Sequence, residues 1–342
     1  MDRLNIIIRT AGGSGYGAGH ISRMSILANA LFAAFDCDIH VLLAGPDEVL
    51  DWFADDRLQL HHLGPSADLS GERHQLGQLR PDLVVIDLLH IEAEHLRLYK
   101  NSGAPVVLFS DMGDLHTDCD LLVLPQQLTP LPAQQTGNTS QLVGPDYFML
   151  AADYAACAAQ PKSIKPVAQN LLISLGGEAR ADSLRRMRQV VDIVAPSLHQ
   201  ISWVLGRCSP DLAASLSEAA DNVEVIEFVG NMPERMQRAD MAILAGGFVK
   251  YEVASCGLPA IIVAQYQHQT VLGREFAAQG AAEYLGELDR LDVQDIADQV
   301  LALQHDSERR ERLSQAGQQL VDGKGVERVL AAIRQLLNRE TH

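Results

Sequence analysis

Short apolar runs alternate with segments of helical periodicity along the first half of the chain. The apolar runs cover residues 4–8, 39–44, 83–86, 106–109 and 121–124. The helix candidates between them cover residues 21–35, 47–54 and 92–100. Strands that are apolar throughout are buried on both faces, and strands that alternate with helices form parallel sheets covered on both sides. The pattern therefore predicts an α/β fold built on a parallel sheet.

The alternation stops at residues 157–169 and then resumes. This segment holds two prolines and two lysines without an apolar period, which is typical of an interdomain linker. Beyond it, strands are predicted at residues 170–175, 200–205, 223–228, 241–245 and 260–263. Helices are predicted at residues 183–195, 210–220, 233–239, 249–255 and 271–279, and over the whole tail at 293–337. We expect two doubly wound, Rossmann-like domains at residues 1–156 and 170–323, followed by a C-terminal helix at 324–342.

Composition and charge narrow the class of partner. The chain has 342 residues, of which 47% are apolar and 21% charged, so two domains can each bury a core. A formal net charge of −17 argues against a nucleic-acid or anionic-membrane surface, because both need clustered Lys and Arg. Backbone amides can bind a phosphate group without basic side chains. A small anionic ligand therefore remains compatible with the charge.

Cysteine usage and hydropathy indicate the compartment. The five cysteines are odd in number, far apart and in no C-x-x-C pair, which is typical of buried thiols in a reducing environment. The apolar run at residues 4–8 is too short for a signal peptide, and no window approaches the roughly 18 apolar residues of a membrane span. We expect a cytoplasmic monomer or weak homodimer without a transmembrane segment.

The loop GGSGYGAGH at residues 12–20 follows the first predicted strand. Doubly wound domains bind ligands beyond the carboxyl ends of their strands, here in the cleft expected between the two halves. Gly13, Gly15 and Ala18 fit a dinucleotide template, but the acid required at the end of the second strand is missing. His20 begins the next helix, where the helix dipole favours the neutral imidazole that a general base needs. A histidine that only caps the helix is the alternative.

Two double glycines follow strands in the second half of the chain. Gly176 and Gly177 follow one strand, and Gly246 and Gly247 follow another and open a helix that carries Glu252. A double glycine exposes backbone N–H groups to a diphosphate, and a carboxylate one helical turn later suits ribose hydroxyls. Tight packing alone is the alternative explanation for both glycine pairs.

Several acidic features are discounted as sites. The pairs Asp36/Asp38 and Asp118/Asp120 precede strands, so they lie at the wrong end of a parallel sheet. The cluster SDMGDLHTDCD at residues 110–120 has no metal-site spacing and is interpreted as a solvated loop, although it begins at a strand end. Asp87 also follows a strand and is a candidate for facing the cleft.

Five blocks of the sequence resemble one family. They are IIIRTAGGSGYGAGHISRMSILANAL, GPDYFML, NLLISLGG, GNMPERMQRADMAILAGGFVKYEVASCGLPAIIV and VDGKGVERVL, in family order over nearly the whole chain. They resemble the UDP-sugar hydrolases of pseudaminic acid synthesis and their spore-coat polysaccharide relatives. The resemblance implies the two-domain glycosyltransferase-B architecture of the MurG type. It also implies release of UDP and a free deoxy-amino sugar, without a metal or redox cofactor.

The same resemblance assigns roles to individual residues. His20 is the implied base that activates water. It places Gly17 and Gly19 in the family's glycine loop, on the sugar side, and it places Gly246, Gly247 and Glu252 at the diphosphate and ribose. Beyond the resemblance, we predict Tyr16, Asp87 and Gln269 as further sugar-binding residues. We likewise predict Gly176, Gly177, Met232 and Phe248 as further nucleotide-binding residues.

The chain departs from the family pattern near the donor sugar. Ala11 stands where the family usually has an aspartate, Glu178 and Ala179 replace an Asp-Pro pair, and His268 replaces an asparagine. The nucleotide half of the assignment is therefore better supported than the sugar half. The main prediction is a UDP-sugar hydrolase with His20 as the general base. The alternatives are a glycosyltransferase with the same donor and a catalytically silent nucleotide-sugar-binding protein.

Overall fold

The computed structural model describes residues 3–13, 18–53, 55–65, 69–111, 118–137, 139–177, 179–206, 208, 210–227 and 230–339. The chain divides into two compact units. Unit 1 comprises Met1–Leu150 and Lys324–His342, and unit 2 comprises Ala151–Gly323.

Strands and helices alternate in both units. The strands are β1 (Leu4–Ala11), β2 (Cys37–Ala44), β3 (Leu58–Gly64), β4 (Leu83–Asp87), β5 (Val106–Phe109), β6 (Leu121–Leu124), β7 (Ser140–Val143), β8 (Asn170–Ser174), β9 (Gln200–Val204), β10 (Val223–Ile226), β11 (Met241–Leu244), β12 (Ala260–Ala264) and β13 (Glu283–Glu287). The helices are α1 (Gly19–Ala34), α2 (Leu69–Leu79), α3 (Ala93–Lys100), α4 (Ala133–Thr136), α5 (Ala152–Ala158), α6 (Ala181–Val194), α7 (Pro210–Ser217), α8 (Met232–Arg238), α9 (Val249–Ser255), α10 (Gln267–Ala278), α11 (Val293–His305), α12 (Ser307–Leu320) and α13 (Gly325–Arg339). Short 3-10 helices occupy Asp47–Trp52, Pro145–Tyr147 and Ala195–Ser197.

The described part of unit 1 forms a seven-stranded sheet in the order β3-β2-β1-β4-β5-β6-β7. Every neighbouring pair in this sheet is parallel. The strand order reverses beside β1, which pairs with β2 on one side and β4 on the other. The carboxyl ends of β1 and β4 therefore lie at the topological switch point, where doubly wound folds place their ligands.

Helices cover both faces of the unit 1 sheet. On one face, Ile8 of β1 shares a core with Leu27 of α1 and Ile333 of α13. On the other face, Ile7 of β1 shares a core with Leu96 of α3. Because consecutive residues of β1 enter opposite cores, the middle of the strand, Ile6–Ile8, is apolar on both faces.

The described part of unit 2 forms a six-stranded parallel sheet in the order β10-β9-β8-β11-β12-β13. Ile173 of β8, Leu184 of α6 and Val300 of α11 share its largest core, and none is exposed to solvent. Burial of each such aliphatic side chain contributes about 1.5–3 kcal/mol. The strand order reverses between β8 and β11, so these two strand ends form the switch point of unit 2. The predicted α/β class with two doubly wound parallel sheets is confirmed.

The division between the units lies at residues 150 and 151, six residues before the predicted boundary. Helix α5 therefore belongs to unit 2. The segment expected to be a linker is packed onto unit 2, where Lys162 Nζ donates to the carbonyl oxygens of Met236 and Gln237 at 2.8 and 2.7 Å. Ala168 is fully buried and its N–H donates to Gln304. Since these contacts use backbone and polar groups, they leave no apolar period in the sequence.

The tail that was predicted as wholly helical consists of three helices, α11 to α13. Asp306 ends α11 and caps α12, because its carboxylate accepts a hydrogen bond from the N–H of Arg309. Helix α13 packs within unit 1, so the chain crosses between the units twice. Gly325 begins α13 against the backbone of Phe148, so close that a Cβ atom would clash with the Phe148 carbonyl. Gly323 and Gly325 of VDGKGVERVL thus allow close backbone packing where the chain returns to unit 1.

The sequence pattern did not predict three of the described strands, β3, β7 and β13. Each lies at the edge of a sheet. Most of their residues are only partly buried. An edge strand can carry polar residues such as His61 and His62 in β3, so it lacks the continuous apolar run that marks a central strand.

No helix in the described part of the chain is both long enough and apolar enough to cross a membrane.

Candidate functional site

His20 lies in the first turn of α1, which begins directly after the loop that follows β1. The imidazole is 5% exposed, and its Nδ1 lies 2.7 Å from Oδ1 of Asp87. Asp87 is the last residue of β4 and has no solvent exposure. A carboxylate only accepts hydrogen bonds, so Nδ1 carries the proton and Nε2 carries the lone pair. The switch point of unit 1 therefore holds an oriented histidine–aspartate pair.

Arg23, one turn further along α1, ties this pair to a second aspartate. Its Nε donates to Asp87 Oδ2 at 2.8 Å, and its Nη2 donates to Asp87 Oδ1 at 2.6 Å. Its Nη1 donates to Asp111 Oδ1 at 2.8 Å. Asp111 follows β5 and Arg23 is 2% exposed. One buried guanidinium thus fixes the carboxylates at two neighbouring strand ends.

The charges of this network set its protonation states. Burial opposes ionisation of Asp87, but Arg23 and His20 outweigh it and lower the pKa of Asp87 to about 2. Burial also disfavours the charged imidazole, yet the Asp87 carboxylate outweighs it and raises the pKa of His20 above its usual value. With His20 neutral, two carboxylates face one guanidinium, and a proton on His20 restores neutrality. The network therefore makes His20 a stronger base than an isolated imidazole.

These contacts bear on three sequence expectations. The helix dipole was expected to keep His20 neutral, but Asp87 outweighs burial and raises the pKa of the imidazole. Asp87 was predicted to contact the sugar; in the structure its carboxylate oxygens accept hydrogen bonds from His20 and Arg23, and its contact with a sugar stays a prediction. Asp111 was assigned to a solvated loop, yet it is 8% exposed and bound to Arg23.

A second buried carboxylate network lies on the opposite face of the unit 1 sheet. Glu72 of α2 accepts hydrogen bonds from Arg9 Nε at 3.0 Å, from His95 Nε2 at 2.5 Å and from the hydroxyl of Tyr99. Burial opposes ionisation of Glu72, but His95 and Arg9 outweigh it and lower the pKa of Glu72 to about 2. Arg9 also donates to the carbonyl of Thr10 at 2.6 Å. This network joins α2 and α3 to the end of β1.

Ala11, where the family aspartate is expected, ends β1 and is 2% exposed. In the adjacent strand, Asp87 pairs with Thr10, the residue before it. A carboxylate is thus present at this switch point, although it comes from β4 and not from β1. Gly19 is the first residue of α1, while Tyr16 and Gly17 lie outside the described residues.

In unit 2, Gly246 and Gly247 follow β11 and face the first turn of α10. A Cβ atom on Gly246 would lie 2.7 Å from the carbonyl oxygen of Gln269, so only glycine allows this approach. A Cβ atom on Gly247 would meet only the Gln269 side-chain nitrogen, at 3.8 Å. Tight packing therefore explains Gly246 but not Gly247. The structure brings both glycines and Gln269 together, as expected.

Buried amide side chains connect the strand ends of unit 2. Gln269 Oε1 accepts a hydrogen bond from the N–H of Gln265 at 3.0 Å. Gln265 Nε2 donates to the carbonyl of Leu175 at 2.7 Å, beside Gly176 at the end of β8. Gly176 has a φ of +97° and open space where a side chain would be. The ends of β8, β11 and β12 are thus held in one arrangement by amide side chains, and the Arg180 guanidinium adds a hydrogen bond to the Gln265 carbonyl at 3.2 Å.

Glu252 lies on α9, one turn after the double glycine. Burial raises the pKa of its carboxyl group to about 7, although a hydrogen bond from the hydroxyl of Tyr154 partly offsets this effect. Tyr154 of α5 is itself 6% exposed. Tyr154 lies just before the segment that was predicted as a linker, so the sequence pattern did not indicate its contact with Glu252. Glu252 is therefore poised to change protonation near neutral pH.

The two remaining nucleotide candidates also follow strands of unit 2, so they lie at the carboxyl ends of the strands, as the double glycine does. Phe248 precedes α9, directly after Gly247. Met232 begins α8 after β10, which is three strands away from β11 in the sheet order.

Comparison with known proteins gives these sites a context. Residues 200–328 match the glycosyltransferase family 28 C-terminal domain. The chain is 30% identical over 266 residues to the spore coat polysaccharide biosynthesis protein SpsG of Bacillus subtilis (strain 168), which covers 76% of this chain and 78% of that protein.

Two further relatives share most of their length with the chain. It is 25% identical over 285 residues to the UDP-N-acetylglucosamine--N-acetylmuramyl-(pentapeptide) pyrophosphoryl-undecaprenol N-acetylglucosamine transferase of Desulfotalea psychrophila, covering 78% of this chain and 74% of that one. Its fold matches the crystal structure of Acinetobacter baumannii MurG with a TM-score of 0.68 at 16% identity, over 97% of this chain and 99% of that chain.

The fold and the matched domain define the class of protein: an enzyme of the glycosyltransferase superfamily with the GT-B fold. Within that class, the chain belongs to the family of the spore coat polysaccharide biosynthesis protein SpsG.

Proposed function

We propose that the protein is a glycosyltransferase that transfers a sugar from a nucleoside-diphosphate sugar to an acceptor hydroxyl. The observation that carries this proposal is the His20–Asp87 pair at the switch point of unit 1, with 2.7 Å between Nδ1 and Oδ1. Membership of the SpsG family and the glycosyltransferase family 28 domain support the same reaction class.

His20 acts as the general base in this proposal. Its Nε2 accepts the proton of the acceptor hydroxyl, whose oxygen forms the new bond to the anomeric carbon. The bond between that carbon and the diphosphate oxygen breaks, and the nucleoside diphosphate leaves with the electron pair. Asp87 stabilises the imidazolium that forms and holds the required tautomer. Arg23 and Asp111 keep the pair in position.

Unit 2 binds the donor nucleotide. The backbone at Gly246 and Gly247 approaches the diphosphate, and the Glu252 carboxylate accepts hydrogen bonds from the ribose hydroxyls. UDP is the first nucleotide to test, because the transferase of Desulfotalea psychrophila carries UDP-N-acetylglucosamine in its name. Two neutral amides, Gln265 and Gln269, fix the surrounding strand ends without adding negative charge near a diphosphate.

Hydrolysis of the same donor is the second candidate function. Water would then replace the acceptor hydroxyl, and His20 would deprotonate it by the same step. The 5% exposure of His20 favours a nucleophile as small as water. A deoxy-amino sugar of the pseudaminic acid type, as the sequence resemblance implies, would be the substrate of this reaction.

A UDP-release assay with a panel of UDP-sugars separates these functions. Release that requires an added glycan acceptor and disappears in His20→Ala supports the transferase. Equal release in buffer alone supports the hydrolase. Tight UDP binding without turnover in either condition supports a nucleotide-sugar-binding protein. If UDP does not bind and no panel sugar is turned over, the proposal of a UDP-sugar donor fails.

A further inference from the structure

Lys250 lies in α9 beneath the double glycine, and only 1% of its surface is exposed. Its Nζ donates to the carbonyl oxygen of Gly246 at 3.0 Å and to that of Gly247 at 3.2 Å. The same nitrogen lies 4.5 Å from the centre of the Tyr251 ring. An ammonium group removed from water is stabilised only by acceptors and ring faces, and here the turn and its flanking aromatic residue supply both.

The direction of these hydrogen bonds fixes the direction of two amides. The described peptide bonds include no cis bond, so each carbonyl points opposite to the N–H of the same peptide unit. The Gly246 carbonyl shares its unit with the Gly247 N–H, and the Gly247 carbonyl shares its unit with the Phe248 N–H. Because both carbonyls turn toward Lys250, both N–H groups point away from it. Successive N–H groups directed to one side form an anion-binding surface.

We propose that Lys250 is a positioning residue for the donor diphosphate. It acts through the turn: its ammonium group holds the Gly246 carbonyl and, together with its own backbone N–H at 3.4 Å, the Gly247 carbonyl. It thereby aims the amides of Gly247 and Phe248 at the diphosphate. Its positive charge lies behind the same turn and adds to the attraction for the anion. This inference rests on the proposed function, in which the double glycine binds the diphosphate of the donor.

Lys162 provides a matched control in the same unit. Its Nζ also donates to two backbone carbonyls, those of Met236 and Gln237 at the end of α8. Lys162→Met therefore removes a lysine with the same hydrogen-bonding pattern that contacts the segment preceding β11, whereas the double glycine follows that strand. A general effect of deleting such a lysine is expected in both variants, and an effect on the diphosphate only in Lys250→Met.

The test compares binding of UDP with binding of uridine by titration calorimetry. We expect Lys250→Met to lose about 10–100-fold of its UDP affinity, the range for hydrogen bonds to charged groups. Its uridine affinity should change less than about 3-fold, and Lys162→Met should retain both affinities. Unchanged UDP affinity in Lys250→Met, or an equal loss for uridine and UDP, would overturn the role of Lys250. If the wild-type chain binds no UDP, the proposed function itself fails, which is a distinguishable result.

A second measurement needs no variant. Adding UDP to the ¹⁵N-labelled wild-type protein should shift the amide resonances of Gly247 and Phe248 strongly, and adding uridine should shift them little. If saturating UDP leaves both resonances in place, these amides do not contact the diphosphate and the inference is wrong.

Discussion

The two units have the same kind of parallel sheet but equip their strand ends with different chemistry. In unit 1, the ends of β4 and β5 carry Asp87 and Asp111, which Arg23 and His20 engage as charged or titratable partners. In unit 2, the ends of β8, β11 and β12 carry glycines and amide side chains. The fold supplies the position of a site, and the residue types supply its chemistry. Unit 1 is suited to moving a proton, and unit 2 to binding an anionic ligand through its backbone.

The buried Asp87 and the partly buried Glu252 show the same contrast on a smaller scale. Asp87 has a guanidinium beside it, which overcomes burial and lowers its pKa to about 2. For Glu252 burial prevails, and a hydroxyl from Tyr154 leaves its pKa at about 7. The neighbour of a carboxyl group, more than its depth, thus decides whether it is ionised at neutral pH.

The largest expected effect comes from removing the base. His20→Ala should lower turnover of the productive UDP-sugar by about 10²–10⁴-fold, because general-base catalysis contributes about that much. Steady-state UDP release measures it. His74→Ala, which changes an exposed histidine of α2, should retain full turnover. Equal turnover in wild type and His20→Ala would exclude the proposed base.

Removing the shared guanidinium should cost the most stability. Arg23→Met leaves Asp87 and Asp111 buried without their cation, so the free energy of unfolding should fall by about 3–5 kcal/mol at pH 7. Urea unfolding measures this change. The stabilising effect of ionised Asp87 is present above pH 3.8 and is lost as pH falls toward about 2, so the difference should shrink in acid. Arg185→Met, at an exposed pair with Asp182, should change stability by at most about 1 kcal/mol.

The carboxylate of Asp87 should also set the pH dependence of the reaction. Turnover requires neutral His20, so kcat/KM rises with pH through the pKa of His20. Asp87→Asn removes the charge that raises this pKa while burial continues to lower it, so the acidic limb should move to lower pH. A pH–rate profile of both proteins shows the shift. A limb that stays in place, or moves to higher pH, contradicts the assignment.

Glu252→Gln should affect stability and binding in opposite directions. The pKa of Glu252 is raised from 4.5 to about 7, so its destabilising effect is absent below pH 4.5 and complete above pH 7. At pH 8 the variant should gain up to about 3 kcal/mol of stability, and at pH 4.5 it should gain none. Its UDP affinity should fall, since an amide accepts ribose hydroxyls less well than a carboxylate. Thermal unfolding and calorimetry at both pH values measure the two effects.

The smallest effects distinguish the two glycines after β11. Gly246→Ala places a Cβ 2.7 Å from a backbone carbonyl, so it should destabilise the protein by about 1–3 kcal/mol. Gly247→Ala has room at 3.8 Å, so its melting temperature should remain close to that of wild type. Differential scanning calorimetry compares them. A larger loss in Gly247→Ala than in Gly246→Ala would invert the packing argument.

The central strands of both sheets could be predicted because burial on both faces favours a largely apolar run. Strands β3, β7 and β13 could not, because an edge strand tolerates polar residues on its partly exposed surface. The helical tail was predicted, but its division into α11, α12 and α13 depends on caps such as Asp306. The assignment of α13 to unit 1 depends on tertiary packing.

The candidate site was predictable only where it follows a strand along the sequence. His20 and the double glycine met that condition. Arg23 contacts Asp87 from 64 positions away and Asp111 from 88 positions away, which no local pattern encodes. One signal was available: Arg23 lies on the apolar stripe of α1, between His20 and Leu27, where a charged residue requires a buried partner.

We propose that unit 1 moves the proton and unit 2 binds the nucleotide. The most direct test of this division measures UDP binding and UDP release on the same preparations of His20→Ala and Glu252→Gln. The account predicts that His20→Ala binds UDP as tightly as wild type while its turnover falls at least about 100-fold. It predicts that Glu252→Gln binds UDP more weakly. Loss of UDP affinity in His20→Ala together with wild-type affinity in Glu252→Gln would contradict it.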